Sequence, residues 1–388
     1  MNYSYFEQEF QKKYGRQPII VRSPGRINII GEHTDYNQGF VLPAAVDKEI
    51  VLAMAKNDSD TVRVTALDVG EEVEFRTDQA DQVEEPWAKY IAGVLLQFQK
   101  LSLDIRGFDC VFGGTIPLGA GMSSSAALEC GIGYGMARLF DHELDPLTLV
   151  KAAQRAENEF VGVKCGIMDQ FANVFSKEGH VIKLDCRDLR YEYFPAELDT
   201  HTLVLFDTQV KHSLGSSEYN VRRKECEEGV EVIAKHYPNV TSLRDCTLEM
   251  LEKARTEMTG KVADRCEYVI SEISRVEQAC EALQVKALDE LGRLMYETHD
   301  GLSQKYEVSC VELDVLVDLT RSMNAVAGAR MMGGGFGGCT INLVDKTHRD
   351  TVISQVKSGY AEKFGNEPKV YEVSLAEGTG TAEEYALK

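Results

Sequence analysis

One stretch restricts the fold more than any other: PLGAGMSSSAALE, Pro117 to Glu129. The apolar run before it, FDCVFGGTI, reads as a buried strand. The run after it, AALECGIGYGMARLF, reads as a helix with Ala126, Ala127, Cys130, Met136 and Phe140 available for packing. Between them lie Gly119, Gly121 and the serines Ser123, Ser124 and Ser125. The order is strand, glycine loop, helix N-terminus. A helix start carries N–H groups with no intrahelical partner and the positive end of the helix dipole, so this arrangement offers a seat to an anion. Taken alone, such a loop is also an ordinary turn with an N-cap. It is not a Walker A loop, because no Gly-Lys-Ser/Thr occurs in the chain, and the protein-kinase set is incomplete, with no DFG triplet.

At 388 residues the chain exceeds what one core ordinarily serves, and two domains are expected, 1–176 and 177–388. The formal net charge of −20 argues against a nucleic-acid surface or an anionic membrane as partner. A small anion must then be held by local donors or a metal, against an unfavourable overall field. Ten cysteines without a CxxC pair are expected to be reduced thiols. The stretch MNYSYFEQEFQKKYGRQ lacks the apolar core of a signal peptide, and no apolar run reaches membrane-spanning length. The expected location is cytoplasmic.

Along the chain, residues 2–15 suggest an amphipathic helix carrying Tyr5, Phe6 and Phe10. Strands are expected at PIIVRSP, FVLPAAV, EIVLAMA and TVRVTAL, and a helix at PWAKYIAGVLLQFQKL. DPLTLVKAAQRAENEFVG has Asp145 to cap a helix and Pro146 for its first turn. HVIKLDC and HTLVLFDT read as strands. From about 218 to 322 the pattern is helical and charged, its acidic part, 222–300, read as a solvated outer face or a partner surface, and CTINLVD and KVYEVSL return to strands. Strands and helices mix without a regular βαβ rhythm, which predicts an α+β fold.

A second glycine cluster, MMGGGFGGCTINL, contains a formal GxGxxG in Gly333, Gly335 and Gly338. It precedes a strand where a dinucleotide-binding loop opens a helix, so that reading is set aside. Two readings remain: a tight hairpin, or close approach of backbone to a ligand or to the other glycine loop.

Two polar clusters complete the set. In SPGRINIIGEHTDYNQGFVLPAAV, Glu32, His33, Asp35 and Tyr36 crowd between strand-like segments. Carboxylates accept hydrogen bonds from hydroxyls, often two at once, which suits a sugar. Zinc is the rival, but HExxH is absent and no second His is near; a solvated turn is the bland reading. In ENEFVGVKCGIMDQF, Glu157 sits near a helix end and Asp169 lies in an apolar frame, as a cap or a placed acid–base group.

Together these segments resemble the galactokinases, within the superfamily that also holds homoserine, mevalonate and phosphomevalonate kinases. GRINIIGEHTDYNQGFVLP is similar to the galactokinase signature, PLGAGMSSSAALE to the superfamily's phosphate-binding loop, and MGGGFGGC to its third motif; CGIMDQ and KHSLGSSEYNVRR match as well. Met122 stands where leucine is usual, a volume-conserving change.

The resemblance implies an N-terminal domain like ribosomal protein S5 domain 2 and a ferredoxin-like C-terminal domain, with the active site between them. It implies ATP-dependent phosphorylation of α-D-galactose at its anomeric hydroxyl, the first committed step of the Leloir pathway. Pro117, Leu118, Gly119, Ala120, Gly121, Met122, Ser123, Ser124 and Ser125 would wrap the ATP phosphates. Ser125, or Ser124 in its place, and Glu157 would hold Mg²⁺. Asp169 would take the hydroxyl proton, with Arg26 beside it. Glu32, His33, Asp35, Gly166, Asp169 and Tyr219 would bind the sugar, and Gly335 and its neighbours would press the third motif against the nucleotide loop. The expected partners are galactose and ATP, for a monomer or weak homo-oligomer. N-acetylgalactosamine, arabinose and galacturonate kinases share these motifs, and a galactose-sensing regulator without turnover is a further alternative.

Overall fold

Phe6 and Phe10 fix where the chain begins to pack. They lie on the inner face of α1 (Tyr3–Tyr14), against Val51, Ala53 and Val111 of the first sheet, while Tyr5 is exposed. The computed structural model describes residues 2–196, 198–210 and 215–386. The chain continues as β1 (Ile19–Asn28), β2 (Phe40–Val41), β3 (Pro43–Lys56), β4 (Thr61–Ala66), β5 (Glu71–Arg76), α2 (Ala88–Lys100) and β6 (Phe108–Gly114). FVLPAAV and EIVLAMA are therefore not two full strands. From Pro43 the chain is one 14-residue strand, paired with β1 on both sides of Asp47 and Lys48, which fall where the register shifts between Pro24 and Arg26.

Three helices follow: α3 (Ser124–Leu139), α4 (Pro146–Ala156) and α5 (Met168–Phe175). Asp145 caps α4 as expected, accepting from the Thr148 N–H at 3.0 Å. In α3, Ala126, Ala127, Cys130 and Met136 are buried; Phe140 is half-buried just beyond its end. The first sheet has the order β13-β1-β3-β6-β4-β5, in which β13 (Gly380–Thr381) comes from the far end of the sequence; β12 (Lys369–Val373), just before it, belongs to another sheet.

The second half contributes β7 (His180–Asp185), β8 (Tyr191–Pro195), β9 (His201–Asp207), α6 (Gly215–His236), α7 (Leu248–Ala254), α8 (Val262–Gln284), α9 (Leu288–Gln304) and α10 (Val311–Arg321). Then come β10 (Val326–Met331), β11 (Cys339–Asp345), α11 (Arg349–Phe364) and α12 (Ala382–Ala386). A four-stranded antiparallel sheet, β10-β11-β9-β12, forms the core of this half, and a small sheet joins β2, β7 and β8. Two pairings cross residue 176: β7 with β2 and β13 with β1. A His-Arg-Asp triplet, 348–350, starts α11 at the surface and takes no part in the site.

The charged helical region is more than a solvated face. One side of α8 is buried, and Glu272 within it is fully enclosed. Its carboxylate accepts from the Gly31 N–H at 2.7 Å, Thr298 Oγ1 at 2.8 Å and Arg275 Nε at 2.7 Å. A charge at that depth is tolerated because every nearby donor is turned toward it. All ten cysteines are free thiols. Among the described residues, no helix is long and apolar enough to cross a membrane.

Candidate active site

The glycine–serine loop leaves its helix uncapped. Gly119 and Gly121 take φ of 81° and 76°, which a side chain would resist, and Ser123 at the N-cap position is left-handed at φ 55°. The Ser123 hydroxyl makes no cap bond and donates instead to Asp169 Oδ2. The first intrahelical bond runs from the Ala127 N–H to the Ser123 carbonyl. The N–H groups of Ser124, Ser125 and Ala126 therefore precede the ladder, at the positive end of α3. Ala120 and Met122 are buried and anchor the loop; Leu118 and Gly119 are exposed, and Pro117 is half-buried.

Arg26 fastens this loop to the acidic group across from it. Its Nε and Nη2 donate to Asp169 Oδ1 and Oδ2 at 2.7 and 2.8 Å, and its Nη1 to the Gly121 carbonyl at 2.5 Å. Its own N–H donates to the Met122 carbonyl at 3.1 Å. Asp169 belongs to the first turn of α5 and is not a cap.

Arg26, Glu32, His33, Asp35, Glu157, Gly166, Asp169, Tyr219, Gly333 and Gly334 line one cavity of about 130 Å³, the scale of a single sugar ring. Every sugar-contact residue expected from the sequence is present in it. Glu32 accepts from the Gly333 N–H at 2.8 Å and from Arg330 Nη2 at 3.1 Å. Asp35 accepts from the Tyr36 N–H at 2.9 Å; burial, then the charge of Asp169, push its carboxyl up to about 6. Gly166 leaves room for Asp35, because a Cβ there would lie 1.8 Å from Oδ2.

His33 is buried, with φ 62°, and bonds Tyr36 OH through Nδ1 at 2.9 Å. Tyr36 OH in turn meets Tyr306 OH at 2.6 Å. Burial lowers His33 to about 4 against the opposing pull of Glu32 and the Gly334 backbone, so the ring is neutral at pH 7. Tyr219 packs its ring 5.2 Å from His33 and 5.3 Å from Tyr36. The preceding KHSL of the matched segment, 211–214, lies outside the described residues.

The third motif is a hairpin between β10 and β11, and it also presses on the nucleotide loop. The glycines that meet the loop are Gly333, whose Cβ would lie 3.3 Å from the Gly121 carbonyl oxygen, and Gly338, 3.4 Å from that of Gly119. Gly335 does not: it faces the Val308 carbonyl, 2.1 Å from a would-be Cβ. The contact role expected of Gly335 passes to its neighbours.

Several residues of the site carry no local sequence signal. Arg330 is fully buried and donates to the carbonyls of Ile29, Asn28 and Met331 as well as to Glu32, holding the signature turn in place. A second cavity, of about 190 Å³, is lined by Trp87, Tyr90, Phe112, Ile116, Leu118, Ser124, Ser125 and Leu128. It is apolar, and it opens beside the first turn of α3, so a flat base could lie there with its phosphates on the loop.

Glu157 opens one π-helical turn, Glu157–Val161, at the end of α4. Burial, then the charge of Asp169, pushes its carboxyl up to about 7, and the nearby Ser125 hydroxyl opposes that rise. Two oxygen donors beside an anion seat suit Mg²⁺, which keeps water and phosphate oxygens for its remaining positions.

The comparisons agree with this geometry. Residues 8–56 match the galactokinase galactose-binding signature, 89–177 the GHMP kinases N terminal domain and 278–362 the GHMP kinases C terminal domain. The chain is 41% identical over 360 residues to the galactokinase of Thermotoga neapolitana (strain ATCC 49049 / DSM 4359 / NBRC 107923 / NS-E), covering 92% of this chain and 98% of that protein. With the galactokinase of Roseiflexus sp. (strain RS-1) it shares 37% over 374 residues, covering 96% and 95%. It superposes on the Lactococcus lactis galactokinase complexed with galactose with a TM-score of 0.93 at 32% identity, over 97% of this chain and 99% of that one. The Methanococcus jannaschii mevalonate kinase, at TM-score 0.66 and 17% identity, shares the fold. With its signature, both domains and nearly its whole length accounted for, the chain belongs to the galactokinase family of the GHMP kinases.

Proposed function

We propose that this chain transfers the terminal phosphoryl group of ATP to the anomeric hydroxyl of α-D-galactose, giving galactose 1-phosphate and ADP, the first committed step of the Leloir pathway. One observation carries the residue assignments: Asp169, gripped by Arg26, stands between a sugar-sized cavity and an uncapped helix start. Glu32, His33, Asp35, Gly166 and Tyr219 bind the hexose. The Pro117–Ser125 loop takes the phosphates, and the Trp87–Tyr90 slot takes the base.

Asp169 receives the hydroxyl proton while Arg26 keeps it ionised and faces the charge on the transferred group. A loose transition state needs little activation of the nucleophile, so orientation of the hydroxyl by Asp169 contributes alongside proton removal. Ser125 and Glu157 would hold Mg²⁺. The nearness of the Ser125 hydroxyl to Glu157, felt in its pKa, favours Ser125 over Ser124. When bound there, the ion neutralises phosphate charge. Dependence on ATP and ten unpaired thiols support a cytoplasmic enzyme, acting as a monomer or weak homo-oligomer.

The test is galactose-dependent ADP release, measured with galactose, N-acetylgalactosamine, arabinose and galacturonate. Galactose should give the highest kcat/KM. A higher value with another sugar would move the specificity, and tight galactose binding without turnover would favour a sensor.

A further inference from the structure

Behind the proposed metal ligand lies a buried polar cluster whose other members, Glu129 and Gln170, do not line the sugar-sized cavity. Glu129 and Gln170 are fully enclosed, and Glu157 is nearly so. Gln170 Nε2 donates to Glu157 Oε2 at 2.9 Å and to Glu129 Oε2 at 3.0 Å, using both hydrogens of the amide. Gln170 Oε1 and Glu129 Oε1 are buried without a hydrogen-bond partner. Cys165 Sγ also reaches Glu157 Oε2, at 3.5 Å. That oxygen is committed inward, which leaves the other for a cation.

Gln170 is the neighbour of Asp169 in the first turn of α5. Successive residues of a helix point about 100° apart. Asp169 faces Arg26 and Ser123, whereas Gln170 faces Glu157 and Glu129. One rigid turn therefore spans the carboxylate at the reacting hydroxyl and the carboxylate at the metal. A neutral amide suits this position. A lysine would cancel the charge that attracts the cation, and a third carboxyl would repel the other two. Burying three polar side chains where leucines would pack is unfavourable for stability, which points to a role in the site.

We infer that Gln170 is a positioning residue, whose amide, backed by Glu129, orients Glu157 toward Mg²⁺ and fixes its distance from Asp169. The inference rests on Glu157 being a metal ligand. Hydrogen bonds to ligating carboxylates of this kind tune metal affinity by about 10–100-fold.

Mn²⁺ provides the probe, titrated into the enzyme·ADP complex and followed by electron paramagnetic resonance. Gln170→Met removes both donors at similar volume, and Gln170→Glu keeps the shape while losing them. Thermal unfolding confirms that each variant is folded, and Gln170→Met carries the test should Gln170→Glu not fold. Each folded variant should bind Mn²⁺ about 10-fold more weakly, with galactose affinity within about twofold of the parent and turnover partly restored by raised Mg²⁺. Unchanged Mn²⁺ affinity in a folded Gln170→Met variant overturns the inference. Glu157→Gln serves as the control: if it too leaves Mn²⁺ affinity unchanged, the metal assignment itself has failed, and the inference with it.

Discussion

Arg26 holds Asp169 by both carboxylate oxygens, Nε to Oδ1 at 2.7 Å and Nη2 to Oδ2 at 2.8 Å. A forked pair fixes the plane of the carboxylate as well as its charge. The carboxylate that lines the sugar-sized cavity is thereby oriented without any ligand present. It is also tied to the phosphate loop, through the third guanidinium nitrogen and the Ser123 hydroxyl.

Asp169→Asn removes the proton acceptor and keeps the shape. Turnover should fall by about 10³-fold or more, with galactose affinity changed only a few-fold. Coupled ADP release gives the first quantity and calorimetric titration the second. Near-normal turnover would remove the base assignment.

Arg26→Lys preserves charge and loses the fork. Lysine cannot hold both oxygens of Asp169 and the Gly121 carbonyl together, so kcat should drop by about 10²-fold. KM for galactose should change little. A loss confined to KM would mean that Arg26 acts in sugar binding alone.

Gly166→Ala would place a methyl group 1.8 Å from Asp35 Oδ2. Asp35 must move, and the sugar loses a placed acceptor. KM for galactose should rise by about 10-fold or more while KM for ATP stays within about twofold. Equal rises in both constants would point to a general distortion.

The pH dependence of the unliganded enzyme should reveal Asp35. Its folded pKa, about 6, lies above its unfolded value of 3.8. Such a group favours the fold at low pH, and that contribution is lost as pH rises through 6. His33 runs the other way: lowered from 6.5 to about 4, it weakens the fold as pH falls through that interval. Asp35→Asn should therefore raise the unfolding temperature at pH 7.5 by a few degrees, and the gap should close toward pH 4. A variant less stable than the parent at pH 7.5 would contradict this account.

Trp87→Ala opens the apolar slot beside Ser124 and Ser125. KM for ATP should rise by about 10-fold, with KM for galactose unchanged, since an aromatic wall contributes mostly through buried area. Initial-rate kinetics with each substrate varied in turn separates the two.

The elements that could be read directly from the sequence are those with local causes. Gly119 and Gly121 need positive φ, Asp145 caps its helix, and the apolar runs of β1 and β9 alternate or cluster as buried strands do. The carboxylates of the signature were visible because they crowd between strands. Arg330, Glu272 and Gln170 were not, since each is a charged or polar residue whose burial depends on at least one partner more than ten residues away, and no periodicity marks such a position. For the same reason α8 read as a surface helix. Gly335 and Gly333 look alike in the sequence, and only the approach of the second backbone tells them apart.

The meeting of Gly121 with Gly333, and of Gly119 with Gly338, bears on how the enzyme comes into being during synthesis. The phosphate-gripping segment emerges from the ribosome some two hundred residues before the backbone that braces it. Until that brace arrives, Glu32 also lacks the Gly333 N–H and Arg330. A chain that stops short of Gly333 thus lacks both the brace of the glycine–serine loop and one wall of the sugar-sized cavity.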